Sequence, residues 1–132
     1  YAPQIMQNMV DAQHSNGAMP TTAPEYVIFE GPGMDAFAES PEWGGSLVIF
    51  PFMYYETYGD DSLIKKYYPN MRRYVDYLKT RADKGILSFG LGDWYDYGDF
   101  RAGFSRNTPV PLVATAHYYM TVMYLVSREN GR

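Results

Sequence analysis

The chain contains no cysteine among its 132 residues. Disulfide bonds, thiolate metal ligands and cysteine nucleophiles are therefore excluded. Histidine is scarce as well, because His14 and His117 are the only two in the sequence. Neither has a second candidate ligand at the spacing of a metal site, so the sequence predicts no metal site. His117 lies within a predicted helix, where a hydrogen-bonded packing role is favoured over a catalytic one.

The sequence also lacks a basic stripe and a long apolar run. The net charge is −4 with a pI near 5.0, and no basic stripe is present, so we expect no nucleic-acid partner. Because no apolar run reaches about 18 residues, and no basic-then-apolar amino terminus occurs, we expect neither a membrane span nor a signal peptide in this segment. Gly90 and Gly92 lack the context and the lysine of a phosphate-binding loop, so we expect no nucleotide cofactor.

Aromatic side chains are abundant, at 17% of the chain, yet only two of them are tryptophan. Trp43 directly follows Glu42, and Trp94 directly follows Asp93. A flat indole beside carboxylates is a common way to hold a sugar ring, because the ring covers the C–H face while the carboxylates accept hydroxyl protons. We therefore expect these four residues to bind a carbohydrate. For Glu42 an alternative stays open, since an acid also stabilises a helix amino terminus electrostatically.

Apolar spacing and capping residues predict an all-α fold. The second helix begins with a serine cap followed by Pro41, and Pro69 is expected to interrupt the third helix. Two glycines in the first turns of the second helix, Gly44 and Gly45, cost roughly 1 kcal/mol each, which predicts close approach of a ligand or of a neighbouring helix. The predicted helices run from Pro3 to His14, from Ser40 to Gly59, from Asp61 to Ala82 and from Thr108 to Asn130-Gly131.

The connections between these helices alternate in length. The second and third helices are separated by a few residues around Gly59 and Asp60, so they must be antiparallel neighbours. The first connection, from Ser15 to Ser40, and the third connection, from Asp83 to Asn107, are each about 25 residues long, a length that is usually functional inside a compact domain. Because the helices reverse direction each time, both long connections lie at one end of the bundle. This arrangement predicts that Trp43 and Trp94 lie on one face.

Four segments of the sequence form a recognisable set: Pro41 to Asp60 (PEWGGSLVIFPFMYYETYGD), Tyr68 to Leu78 (YPNMRRYVDYL), Phe89 to Trp94 (FGLGDW) and Thr108 to Ala116 (TPVPLVATA). Together they resemble the catalytic domain of bacterial α-L-rhamnosidases, glycoside hydrolase family 78. The resemblance covers nearly the whole chain, in the family's order. The family's usual Trp-Gly/Ser-Asp-Ala pattern is not kept after Trp43, because Gly45 and Ser46 stand in place of its last two residues.

The resemblance implies a toroid of the (α/α)6 type, to which residues 1–132 would contribute about two of six antiparallel helical hairpins. It implies that Trp43 and Trp94 line a pocket for rhamnose, and that the reaction is a single-displacement inversion without a cofactor. The general acid is then expected before Tyr1 and the general base after Arg132, so no catalytic residue is expected within this chain. The implied partner is a rhamnose-containing oligosaccharide or glycoside, and a periplasmic or secreted location is favoured.

Two other functional classes stay open at this point. A free-standing four-helix module would bind a protein partner across a helical groove, and a noncatalytic carbohydrate-binding module would bind a sugar without cleaving it. The toroid interpretation predicts in addition that the first and fourth helices each lack a covering neighbour. Their exposed apolar faces would then favour self-association.

Overall fold

Four long helices form the body of the protein, and the computed structural model describes residues 1–129. Among the helices of this described part, none combines the length and the apolar character that a bilayer crossing requires. The helices are α1 Ala2–Ala12, α2 Asp35–Ala38, α3 Pro41–Gly44, α4 Ser46–Tyr58, α5 Ser62–Arg81 and α6 Val110–Glu129, and the strands are β1 Asp96–Gly98 and β2 Phe100–Gly103.

Helices α4 and α5 form an antiparallel hairpin, as the sequence predicts. Gly59 ends α4 in the left-handed conformation, with φ at 70°, and α5 begins at Ser62. Tyr74, late in α5, lies against Gly44 just before α4, whereas Ile64, early in α5, shares a cavity wall with Phe52 of α4. Helices α1 and α6 each pack on this pair. The helical-hairpin fold class is confirmed.

The core lies between these helices and consists of large apolar and aromatic side chains. Hydrogen bonds pair the polar groups of some of the side chains at this core, because burying an unpaired polar group is costly. The Tyr67 hydroxyl donates to Gln7 Oε1 at 3.0 Å, and Asn70 Nδ2 donates to Gln13 Oε1 at 2.9 Å, so α1 is tied to α5. The core includes Met6, Leu47, Val48, Phe52, Leu63, Ile64, Tyr67, Met71, Tyr74, Leu78 and Leu87.

The helix predicted from Ser40 to Gly59 is divided in the structure. It consists of α3 and α4, which meet at Gly45. The predicted interruption at Pro69 is wrong, because α5 continues through this residue, and α1 ends at Ala12, two residues before the predicted end. The predicted stop at Asn130-Gly131 lies outside the described residues.

The glycine pair is explained by neighbouring helices. A Cβ atom at Gly44 would lie against the Tyr74 hydroxyl of α5 and 3.2 Å from the Cβ atom of Met19. A Cβ atom at Gly45 would lie 3.3 Å from Thr121 Oγ1 of α6. A side chain at Gly44 would force its neighbours to shift, and one at Gly45 would be tightly packed. Of the two explanations that the sequence left open, helix packing is therefore the one observed.

The third connection contains a short antiparallel hairpin of β1 and β2, which the sequence patterns did not predict. The buried carboxylate of Asp96 organises its base. Asp96 Oδ2 accepts hydrogen bonds from the backbone N–H groups of Arg106 at 2.6 Å and Asn107 at 2.8 Å, and Oδ1 accepts one from Asn107 Nδ2. Hydrogen bonds from these two backbone N–H groups hold the pKa of Asp96 below its ordinary value. The position of Asp96 therefore gives it a structural role.

Candidate functional site

The two long connections meet beside α3. The buried hydroxyl of Ser40 donates to Glu42 Oε2 and accepts a hydrogen bond from the N–H group of Leu91 at 2.9 Å. Glu42 Oε1 accepts a hydrogen bond from the N–H group of Gly92 at 3.2 Å. These bonds join the amino terminus of α3 to the loop that carries Trp94. The predicted proximity of the two long connections is thereby confirmed.

Ser40 does not cap its helix in the expected way. It occupies the N-cap position of α3, but its side chain makes no hydrogen bond to the first backbone N–H groups of that helix. The hydroxyl is directed instead toward Glu42 and the N–H group of Leu91. The cap predicted from the serine-proline pattern thus marks the helix start correctly, while the side chain binds a different partner.

Trp94 lies half-buried in a group of aromatic rings. Its ring packs edge-to-face against Phe37 of the first connection, with centroids 5.2 Å apart, and against Phe104, with centroids 5.7 Å apart. Tyr95 contacts it as well, at 5.1 Å. The neighbouring Asp93 is exposed. Glu42, Asp93 and Trp94 are therefore brought together, as the sequence predicts.

Trp43 is 38% exposed and lines a cavity of about 350 Å³. The wall of this cavity combines apolar side chains of α1 and the first connection with polar ones, in the mixture typical of a small-ligand site. Trp94 does not line this cavity. The lining residues are Ile5, Asn8, Met9, Met19, Pro20, Thr21, Ala23, Trp43, Gly44, Ser46 and Leu47.

The first connection links the surroundings of the two indoles. Thr21, on the wall of the Trp43 cavity, donates from its hydroxyl to the carbonyl of Phe37 at 2.5 Å. The ring of Phe37 in turn packs against Trp94. Both tryptophans thus lie at the same end of the molecule, although they do not line one cavity.

A second polar cluster, which sequence reasoning missed, joins the first connection to α5. The hydroxyl of Tyr77 donates to Glu39 Oε1 at 2.7 Å, and Arg81 pairs with the same carboxylate while its guanidinium lies 4.1 Å from the ring centroid of Phe89. Burial, reinforced by the hydrogen bond to Glu39, raises the pKa of Tyr77 to about 12. The acid of Glu39 was visible in the sequence, but its partners 38 and 42 positions away were not.

Tyr74 is buried near the negative charges of Glu39 and Glu42. Burial, followed by the negative charges of these two residues, raises the pKa of Tyr74 far above its ordinary value. Its phenol therefore stays neutral at physiological pH. Its hydroxyl packs against Gly44 at the end of α3.

The two histidines lie in different environments. His14 Nε2 lies 3.1 Å from Glu25 Oε2 at the surface. The predicted hydrogen-bonded packing role of His117 is wrong for one ring nitrogen, because Nδ1 is buried without a hydrogen-bond partner. Within residues 1–129, no three His, Asp or Glu side chains come together in an arrangement that would hold a metal ion.

Antiparallel helical hairpins, with long connections that present tryptophans and carboxylates at one end, define the class as a helical-hairpin domain of the kind found in glycosidases. The family described as the bacterial alpha-L-rhamnosidase 6 hairpin glycosidase domain matches residues 1–128. The chain belongs to this family.

Individual relatives agree with this family. An alpha-L-rhamnosidase from Streptomyces avermitilis is 32% identical over 110 residues, which are 82% of this chain and 9% of the relative. One from Formosa agariphila is 30% identical over 96 residues, which are 71% of this chain and 10% of the relative. The chain therefore spans about a tenth of the length of these curated relatives.

The fold also matches a solved structure. The structure of alpha-L-rhamnosidase from Dictyoglumus thermophilum superimposes with a TM-score of 0.78 at 25% sequence identity. The match covers 96% of this chain and 13% of that chain. The helical arrangement described above is therefore part of a six-hairpin toroid.

Proposed function

We propose that residues 1–132 form about two of the six helical hairpins in the catalytic domain of an enzyme that hydrolyses terminal α-L-rhamnosides. The observation that carries this proposal is the family match over residues 1–128, together with the tryptophan-and-carboxylate end of the helical bundle. The relatives that share this region carry the name alpha-L-rhamnosidase.

The proposed reaction is hydrolysis with inversion of the anomeric centre. In such a reaction one carboxylic acid protonates the leaving oxygen while a second carboxylate activates water on the opposite face of the sugar ring. We assign neither role to a residue of this chain, because both carboxyl groups are expected in other parts of the domain. This chain alone is then inactive, and its contribution is to hold the sugar.

The sugar-holding role is assigned to Trp43, Trp94, Asp93 and Glu42. The half-exposed indole of Trp43 offers a platform beside a cavity that also has polar side chains on its wall, and exposed Asp93 offers acceptor oxygens next to Trp94. Glu42 already accepts two hydrogen bonds, but a carboxylate has about four lone-pair sites, so it can accept a sugar hydroxyl as well.

The test is a tryptophan-fluorescence titration with L-rhamnose, with D-glucose as the control sugar. We expect a saturable, rhamnose-selective change in the unmodified chain. Trp43→Phe and Trp94→Phe should each weaken the affinity by about tenfold, or about 1.4 kcal/mol for a lost stacking platform. Tyr58→Phe, an exposed position at the far end of α4, is the matched control.

Other results of the titration would contradict the proposal. An equal response to both sugars, or none in a chain that still unfolds cooperatively, would contradict a rhamnose platform and favour a helical protein-interaction module. Rhamnose binding that is retained in both tryptophan variants would remove these two residues from the site.

We also propose that the isolated chain self-associates through α6. The proposed partner is a second copy of the chain. Five positions of α6, all exposed, recur at alternating intervals of four and three residues, which is the spacing of a two-helix seam. They are Leu112, Ala116, Tyr119, Met123 and Val126.

A further inference from the structure

We propose that Ser40 and Glu42 form a clamp that positions the loop carrying Asp93 and Trp94. The clamp consists of these two side chains and the backbone of residues 90–92. Its importance for sugar binding rests on the function proposed above, whereas its action on the loop does not. Ser40 is a positioning residue in this account, and Glu42 has this role in addition to its proposed contact with the sugar.

The hydrogen bonds of the clamp are directed at consecutive backbone groups. The N–H group of Leu91 donates to Ser40 Oγ at 2.9 Å, and the N–H group of Gly92 donates to Glu42 Oε1 at 3.2 Å. The Ser40 hydroxyl then donates to the other oxygen of Glu42, so the two side chains hold each other in place. Hydrogen bonds to an ionised acceptor are stronger than neutral ones.

The loop is also held by close packing. Gly90 adopts a φ of +117°, and a Cβ atom at this position would lie 2.7 Å from Glu42 Oε2 and 2.9 Å from Ser40 Oγ. The backbone at residue 90 therefore lies directly on the clamp, where only glycine fits. Asp93 and Trp94 follow within four residues, so the clamp determines where both side chains stand.

Two observations separate this role from ordinary helix capping. The Ser40 side chain makes no hydrogen bond to the N–H groups of its own helix, although it occupies the N-cap position. In addition, the aromatic contacts of Trp94 come from Phe37, Tyr95 and Phe104, which all lie outside the long helices. The clamp thus provides a hydrogen-bonded link between this aromatic group and the start of α3.

The test uses Ser40→Ala and Glu42→Ala in the Trp43→Phe background, where Trp94 is the sole indole. Ser40 is 2% exposed, so its replacement alters the clamp without removing an exposed side chain. We expect amide hydrogen exchange at Leu91 and Gly92 to become about tenfold faster and acrylamide quenching of Trp94 to increase. Glu42→Gln keeps an acceptor oxygen for Gly92 and should restore most of the protection.

The controls identify global effects. Ser127→Ala removes a hydroxyl that donates to the carbonyl of Tyr124 within α6, and it should leave exchange at Leu91 and Gly92 unchanged. The amides of Met71 and Leu78 in the core serve as internal references. Faster exchange confined to residues 91 and 92 supports the clamp, whereas an equal increase at Met71 means global destabilisation and counts against it. Glu42→Asp, which keeps the charge but withdraws the carboxylate, gives a second, milder variant.

Unchanged exchange at Leu91 and Gly92 in both alanine variants would overturn the proposal. L-Rhamnose titrations of the chain with Trp43 intact, with and without Ser40→Ala, test the sugar site separately. If the chain with Trp43 and Ser40 intact fails to bind rhamnose while the exchange pattern is as expected, the proposed function fails and the clamp stands. If rhamnose binds, Ser40→Ala should weaken the binding although the Ser40 side chain is buried.

Discussion

The carboxylates at the site end of the molecule differ in what they contact. Asp96 is buried and accepts hydrogen bonds from the backbone of Arg106 and Asn107, and Glu42 accepts one from the backbone of Gly92. Glu39 pairs with side chains of α5, whereas Asp93 is exposed. The acidic residues of these loops therefore have structural functions in addition to their proposed recognition of sugar hydroxyls.

Replacement of Asp96 by asparagine should change how stability depends on pH. The folded state holds the pKa of Asp96 below its ordinary value of about 3.9, so its ionised form stabilises the fold above that pH. This contribution is lost as the pH falls through the lowered pKa. We expect Asp96→Asn to lower the free energy of unfolding at pH 6, and the difference from the unmodified chain to shrink at pH 3.

Urea unfolding at the two pH values measures this difference. Asp99→Asn, at an exposed position next to β2, is the matched control and should have a small effect at both. An equal deficit for Asp96→Asn at pH 6 and pH 3 would show that the hydrogen bonds of Asp96 do not depend on its charge.

At the scale of elements, the position of α3 is determined by the two long helices that pack against it. Gly44 faces Tyr74 of α5, and Gly45 faces Thr121 of α6, so the short helix lies close to two long ones. This close approach also fixes the position of Trp43, which lies between Glu42 and Gly44 in the chain. The indole of Trp43 and the clamp are therefore both positioned by the packing of α3 on α5 and α6.

The packing of α3 on α5 can be tested with a double-mutant cycle. Gly44→Ala improves helix propensity by about 1 kcal/mol, but its methyl group meets the buried Tyr74 hydroxyl, and overpacking of this kind costs typically 1–3 kcal/mol. We expect a net loss of about 1 kcal/mol in the free energy of unfolding. Gly44→Ala combined with Tyr74→Phe should cost less than the sum of the two single changes.

Thermal and urea unfolding of the four proteins provides the coupling energy. Additive single effects would mean that the methyl group and the phenol do not meet. In that case the glycine would be required for another contact, of which Met19 is the nearest candidate.

The long helices could be predicted from sequence because their apolar spacing and end signals are local. The break at Gly45 could not, since it depends on the approach of α5 and α6. The hairpin of β1 and β2 was missed because strands of three and four residues are too short for an alternating pattern, and its base is held by Asp96. At the site, residue types were visible, but bonds such as that from Leu91 to Ser40 were not.

At the scale of the whole molecule, the apolar face of α6 lies beside a large cavity. The cavity has a volume of about 650 Å³ and lies between α4, α5 and α6. Its wall includes Tyr55 at the end of α4 and Asp61 before α5, so it is at the opposite end of these helices from Trp43. A surface of this kind favours association with another apolar surface.

Met123→Lys should weaken the proposed self-association. Met123 is 48% exposed within the α6 seam, and a lysine there would place a charge in an interface between two copies. We expect the dimer dissociation constant in sedimentation equilibrium to rise by at least about tenfold, or about 1.4 kcal/mol. Met53→Lys, at a comparably exposed methionine of α4, is the matched control. A monomer at all concentrations, before any substitution, would contradict the interface.

The bonds that hold the long connections join residues far apart in the chain. Leu91 and Ser40 are 51 positions apart, and Arg73 reaches the carbonyl of His14 across 59 positions. The α4–α5 hairpin needs only a short turn at Gly59. Because closing long loops carries the larger entropic cost, we expect the hairpin to form early during folding and the loops last. A newly made chain would then hold its helices together before Trp43 and Trp94 reach their final positions.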